Sequence, residues 1–176
     1  MIRIIAAFFV ILLFAQCAEE DHLIRKKKLG EIDNNTTVAE LDRIFARDSV
    51  GKYPEGDELI REYRVYDASG EPSLVFVTRV ENDSIKSLEL VKIYSSEYST
   101  EKGISTASTF KEVTSQYSID KIEPSFSSAI LFIDELNATI SLNKNDLKID
   151  EFDMREIRQD QIPDLARIRY ITLWFE

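Results

Sequence analysis

The sequence is poor in the residues that most enzyme sites are built from. Its 176 residues hold one cysteine, Cys17, and one histidine, His22. A single cysteine leaves no intramolecular disulfide, so stability must come from packing. One histidine and one cysteine cannot assemble the usual four-ligand zinc centre. A Ser-His-Asp or Cys-His unit would have to take its base from His22, which lies just past Cys17 in a stretch that reads as flexible. Glycine numbers only five, and no Gly-rich phosphate loop occurs, which argues against a nucleotide cofactor. Positive charge is also in deficit, with 22 Lys+Arg against 32 Asp+Glu and a net charge of −10. Nucleic-acid binding needs cations facing phosphates, so that partner class is not expected. The acidity reads as a means of solubility. The chain is thus expected to hold no catalytic residue, no cofactor and no metal.

What is present begins with a sorting signal. Arg3 precedes a continuous apolar run from Ile4 to Ala15. As a helix this run would span about 18 Å, short of the ~30 Å hydrocarbon core. It therefore reads as the apolar region of a signal peptide covering residues 1–16. Leu13-Phe14-Ala15-Gln16-Cys17 resembles a bacterial lipobox, in which the cysteine becomes the acylated first residue of the mature protein. Gln16 stands where the stricter pattern has Gly, Ala or Ser, and plain secretory cleavage near the same place is the competing reading. The resemblance implies lipid attachment (palmitate-type acyl chains) at Cys17. Acyl chains contribute about 0.8 kcal/mol per buried CH₂, and two or more give a stable membrane anchor. Ala18-Glu19-Glu20-Asp21 resembles the acidic export signal of surface lipoproteins of the Bacteroidota, which implies the outer membrane and its outer face. Residues 17–28 are expected to be a lipidated tether, with Arg25-Lys26-Lys27-Lys28 as a solvated basic patch.

Two later segments share one pattern at a constant offset. Ile32, Thr36-Thr37, Glu40-Leu41 and Phe45 are matched by Ile104, Ser108-Thr109, Glu112-Val113 and Tyr117. Thr37-x-x-Glu40 and Thr109-x-x-Glu112 each fit a capping box, in which the Thr oxygen and the Glu carboxylate satisfy each other's backbone amides. Val38, Leu41, Ile44 and Phe45, then Phe110, Val113 and Tyr117, follow helical spacing, so each copy should open with a short amphipathic helix. Capping accounts for Glu40 and Glu112 without a catalytic role. Period-two segments at Leu59–Tyr66, Ser73–Val80 and Ser84–Tyr94 follow the first helix. Ala129–Asp134, Asn137–Leu142 and Ile168–Phe175 follow the second. The turn-rich links between them predict antiparallel pairing. A polar stretch between Asn143 and Ala166 allows a short helix around Asp153–Gln159. Its acidic residues Asp146, Asp150, Glu151, Asp153 and Glu156 lack the ligand alternation and glycine of an EF-hand loop, so they read as a solvated acidic loop. Ile162-Pro163-Asp164 should break the chain before the last strand.

The predicted fold class is α+β, with two tandem repeats at 29–100 and 101–176, each a short helix followed by antiparallel strands. This order, with the starts at Ile32 and Ile104, resembles the tandem architecture of β-lactamase inhibitory protein. Each repeat also resembles the small outer-membrane assembly lipoproteins of the SmpA/OmlA type. The chain as a whole is similar to uncharacterised Bacteroidota lipoproteins, including Ile162-Pro163-Asp164 and the Trp174-Phe175 ending. Such inhibitors carry disulfides that this chain cannot form, so the resemblance implies the fold and not the inhibitory activity. The expected function is a non-enzymatic binding or assembly module of the cell envelope, anchored by its lipid, with an envelope protein as partner. Tyr63, Tyr66, Tyr94, Tyr98, Tyr170 and Trp174 are the candidate surface, since Tyr and Trp are common interface anchors. The alternative is a carboxylate-dependent glycan hydrolase, which needs only Asp and Glu. A binder predicts an exposed aromatic patch, and a hydrolase predicts a deep acidic cleft.

Overall fold

A computed structural model describes residues 20–54, 59–82, 84–147 and 154–176. The signal segment and Cys17 lie outside the described residues. The fold is mixed α and β, dominated by antiparallel sheet. The helices α1 (Val38–Ile44) and α2 (Phe110–Gln116) are two turns each, and both form where the capping boxes predict. Thr37 accepts from the Glu40 amide at 3.2 Å while the Glu40 carboxylate accepts from the Thr37 amide at 2.8 Å. The Thr109 and Glu112 pair repeats this at 3.4 and 2.7 Å. Each helix is too short to persist alone, so tertiary packing of its apolar face must hold it. Leu41 of α1 and Phe110 and Val113 of α2 supply that face.

The main sheet has eight strands. In chain order they are β3 (Ser49–Tyr53), β4 (Glu62–Tyr66), β5 (Pro72–Glu81), β6 (Ser84–Ile93), β8 (Lys121–Pro124), β9 (Ser128–Ile133), β10 (Ala138–Asn143) and β11 (Ile168–Trp174). Their order across the sheet is β3-β4-β5-β6-β11-β10-β9-β8, with every pairing antiparallel. Two meanders thus run inward from opposite edges and join through their last strands. Short turns join β4 to β5 and β9 to β10, with Gly70 at φ 85° and Asn137 at φ 54° in the left-handed positions these turns need, whereas the long segment 144–167 links β10 to β11.

The six expected strands all form, within a few residues of their predicted bounds. β3 and β8, which were not expected, are the two edges. Gly51 and Pro124 weaken the strand signal of these segments, and an edge is where a sheet tolerates such residues.

The register sorts side chains onto two faces. On one face lie Tyr63, Leu74, Phe76, Val91, Ile93, Leu131, Ile140 and Leu173, all essentially buried. Against this face pack α1, α2 and a small sheet ordered β2-β1-β7, formed by β1 (Leu23–Arg25), β2 (Lys28–Leu29) and β7 (Ser99–Thr100). Phe45, which ends α1, sits 5.8 Å from the Phe76 ring and 6.4 Å from the Tyr63 ring. The result is two layers around one core.

Two expectations are corrected here. Residues 17–28 do not remain a tether throughout. β1 pairs in parallel with β7, and Ile24 is fully buried. Arg25 reaches Glu101 at 3.4 Å and Lys28 reaches Glu31 at 3.2 Å, so the basic patch is partly neutralised rather than simply solvated. Burying Ile24 and Leu29 outweighs the loss of chain freedom in this otherwise charged stretch. The short helix expected around Asp153–Gln159 is also absent among the described residues. A 3₁₀ turn at Gln159–Gln161 and a one-turn helix, α3 (Lys144–Leu147), flank that position. Polar sequence with a following proline supplies too little apolar face to hold a helix there. Asp150, Glu151 and Asp153 lie outside the described residues.

Candidate functional site: the helix-free face of the sheet

The register places a second set of side chains on the face opposite the helices. Tyr53, Arg64 and Tyr66 come from β3 and β4, Lys92 from β6, and Trp174 from β11. Tyr94 follows β6 directly and meets Tyr170 of β11, ring centroids 5.3 Å apart. Among the described residues no helix covers this face. Tyr94 is 36% and Trp174 38% exposed, high for rings that size. Between the long side chains lie Val75, Leu90, Thr139 and Thr172, short enough to be buried beneath them.

Two tyrosines and an arginine form the organised part of this surface. The Tyr53 and Tyr66 hydroxyls are 2.9 Å apart, sharing one hydrogen bond. The pair closes over Gly51, where a Cβ would fall 2.9 Å from the Tyr53 ring and 3.0 Å from the Tyr66 hydroxyl. Gly51 is thus required by close approach of these rings rather than by its backbone angle. The Arg64 guanidinium stacks 4.4 Å over the Tyr53 ring. Its Nε and Nη2 both donate to one Glu62 oxygen, at 3.0 and 2.6 Å. That carboxylate holds the Arg64 pKa above its ordinary value. Burial first, and then the neighbouring Tyr170, raise the Tyr94 pKa, so its hydroxyl is neutral at pH 7. The surface therefore offers neutral hydroxyls, ring faces and fixed cations.

Of the aromatics the sequence nominates, Tyr66, Tyr94, Tyr170 and Trp174 share this face. Tyr63 and Tyr98 do not, and this corrects their assignment. Tyr63 is fully buried in the core, with its hydroxyl 3.3 Å from Asp42. Burial and Asp42 together push its pKa well up. Tyr98 is 9% exposed, and burial pushes its pKa up to about 12. His22 lies edge-on to the Tyr98 ring at 4.9 Å, so it is part of the fold and not of a loose tether. Tyr53 and Arg64 were not foreseen. Tyr53 sits in the unrecognised edge strand, and the alternation around Arg64 was readable only once that strand supplied its partner.

A cavity of about 930 Å³ opens elsewhere, between the end of α1, the β1–β2 hairpin and the loop after β6. Leu29, Ile32, Phe45 and Tyr98 line its interior, and Asp21, Asp48, Asp67 and Glu97 stand on its rim. Those carboxylates are all exposed. Asp67 accepts from the Ser69 hydroxyl and from the Ser69 and Glu71 amides, which lowers its pKa. A glycosidase acid needs the opposite displacement. Glu40 and Glu112 are also displaced downward, chiefly by the amides they cap. No group of three or more metal-ligating side chains occurs among the described residues. Likewise, no described helix is long and apolar enough to cross a membrane.

No family model and no curated protein matches this chain. Among solved structures it is similar to the uncharacterized protein yfeY from Escherichia coli, with a TM-score of 0.57 at 9% identity. The match covers 88% of this chain and 98% of that one. At that identity the likeness concerns the fold alone.

Proposed function

We propose that this chain is an exported envelope lipoprotein, anchored through Cys17, whose folded part is a non-enzymatic binding or assembly module. The observation that carries the reading is the aromatic and cationic surface of Tyr53, Arg64, Tyr66, Tyr94, Tyr170 and Trp174 opposite the helices. Tyr, Trp and Arg are the residues that dominate protein interfaces energetically. Here they stand on a rigid sheet whose other face is fully used by the core, so presenting them requires no rearrangement. In this reading the partner is another envelope protein, and the anchor places the module at the outer membrane.

The module is built from two tandem repeats, each a capped helix followed by a four-strand meander. Support comes from the matched capping boxes at Thr37 and Thr109 and from the mirrored strand order about the β6–β11 seam. The carboxylates on the rim of the cavity are all exposed, which favours this over a glycan hydrolase, whose acid needs a site that keeps it protonated.

The test is photo-cross-linking of the full chain in its own membrane, with the probe placed at Tyr94 and, separately, at the exposed residue Lys111 of α2. One dominant adduct from Tyr94, lost in Tyr53→Ala/Trp174→Ala and missing from Lys111, is expected. Equal adducts from both positions would refute a dedicated docking face. In parallel, Cys17→Ser should release the protein from the membrane fraction and abolish incorporation of labelled acyl chain. Unchanged fractionation would refute the anchor.

A further inference from the structure

The cavity at the end of α1 shares Tyr66 with the docking face but is built differently. Its floor is apolar, since Leu29, Ile32, Phe45 and Val65 are buried there and bring no side-chain donor or acceptor. Ile44 stands at its mouth, 51% exposed although aliphatic. On the sheet side the Ser73 hydroxyl donates to the Val65 carbonyl at 3.1 Å, the Ser95 hydroxyl accepts from the Glu97 amide at 3.2 Å, and Ser96 is exposed. The Tyr98 hydroxyl has no such partner. Tyr98 is only 9% exposed, its ring meets His22 in the wall, and its hydroxyl makes no hydrogen bond among the described residues. A largely buried hydroxyl left unpaired carries a cost that a ligand can remove.

The fixed charge round this cavity has one sign. Asp21, Glu31, Asp48, Asp67 and Glu97 line it, and no Lys or Arg does. Glu31 is paired with Lys28, and Asp67 with the amides and hydroxyl of its own turn. Asp21, Asp48 and Glu97 have no side-chain hydrogen bond or ion pair among the described residues. Burial first, and then the charges of these same carboxylates, raise the Tyr98 pKa, so the hydroxyl and the carboxylates bear on one place. They do not gather as metal ligands do, since no group of three or more such side chains occurs among the described residues. An anion such as a fatty acid would be repelled there, and a sugar would find no partners on the floor. From this juxtaposition we infer that the cavity binds a small organic cation with an apolar body. Its ammonium group donates to the Tyr98 hydroxyl oxygen within the field of Asp21, Asp48 and Glu97, and its hydrocarbon part covers Leu29, Ile32 and Phe45. A volume of about 930 Å³ lies in the usual range of small-molecule sites. The inference goes beyond the docking-face reading and does not depend on it.

The chain's one histidine lies in the cavity wall, so its imidazole resonances report on this site. The full chain in non-ionic detergent micelles is titrated by NMR at fixed pH. The probes are phenethylammonium, the size-matched phenylpropanoate and phenylethanol, calcium ion, and a lysine–phenylalanine peptide. Saturable movement of the His22 ring signals with phenethylammonium is expected, with the alcohol and the carboxylate weaker by about tenfold or more. Asp48→Asn/Glu97→Gln, which alters only exposed side chains, should weaken binding about tenfold. Tyr98→Phe, which keeps the buried ring, should weaken it about fivefold. Glu81→Gln at the β5–β6 turn should leave it unchanged, and added salt should reduce it. No saturable response to the amine, equal binding of the alcohol, or unchanged affinity in either cavity variant overturns the inference. A response to calcium alone overturns it in favour of a metal site. A response to the peptide but not to the amine overturns it in favour of a polypeptide.

Discussion

The two halves of the main sheet start alike and finish differently. Each begins with a Thr-capped, two-turn helix whose N-cap angles nearly coincide, φ −84° and ψ 159° at Thr37 against φ −94° and ψ 164° at Thr109. Each then runs through four antiparallel strands to the shared β6–β11 seam. On the outer face, however, the first half carries the Tyr53, Arg64 and Tyr66 cluster out to its edge strand, while the second carries Tyr170 and Trp174 on its seam strand and Ile130, Phe132, Thr139 and Ser141 beyond it. The core differs too. Phe45, Tyr63 and Phe76 form a cluster of neighbouring rings under the first half, whereas the inner strands of the second supply Leu131, Ile140 and Leu142, and its buried rings Phe110 and Tyr117 come from α2 and its end. Similar backbones can thus be held by different cores and made to serve different surfaces. What the halves share is the hydrogen bonding that starts a helix and closes a meander.

The largest effect should come from the core. Phe76→Ala removes a fully buried ring with two aromatic neighbours and is expected to cost about 3–5 kcal/mol. Leu131→Ala in the other half should cost about 2–5 kcal/mol. Urea unfolding measures both, and a clearly smaller loss for Phe76→Ala would show that the aromatic cluster is not what stabilises the first half.

The caps should contribute equally. Thr37→Ala and Thr109→Ala are each expected to lose about 1 kcal/mol, and a large disparity would end the equivalence of the two starts. Gly51→Ala comes next, with a stability change under about 1 kcal/mol, in line with a half-buried edge position where the added Cβ meets the ends of two tyrosine side chains. Its main effect should be to part Tyr53 from Tyr66, visible as lost ring-to-ring contacts by NMR. Undisturbed rings would mean that the close approach at Gly51 imposes nothing.

The smallest effect is the pH dependence of the caps. Glu40 and Glu112 have folded pKa values below the ordinary glutamate value of about 4.3. The unfolded chain therefore binds protons first as pH falls. The capping contribution is complete above that value and disappears as pH drops through the lower, folded one. Glu40→Gln/Glu112→Gln should flatten this part of the stability profile, and an unchanged acid limb would assign it to other carboxylates.

Much of this was legible because it is local. A capping box needs only residues three apart, and a meander strand needs only its own alternation and the next turn. Both helices and six strands were therefore readable from the sequence. The edge strands β3 and β8 were not, since Gly51 and Pro124 belong to positions that only an edge permits. Nor was β1, where two apolar residues amid charges give no period until β7 arrives from far along the chain. Tyr63 and Tyr66 show the limit for the site. They lie in one strand, three residues apart, and fall on opposite faces of the sheet, one in the core and one beside Tyr53.

By itself, then, the sequence determined where helices begin, where strands turn back, and which chemistries lack the side chains to operate. Those are short-range matters of hydrogen-bond geometry and composition. Tertiary structure alone decided which aromatics reach solvent and which cations stand beside them. Strand register assigns every side chain to a face, and register depends on partners that the chain brings together from a distance.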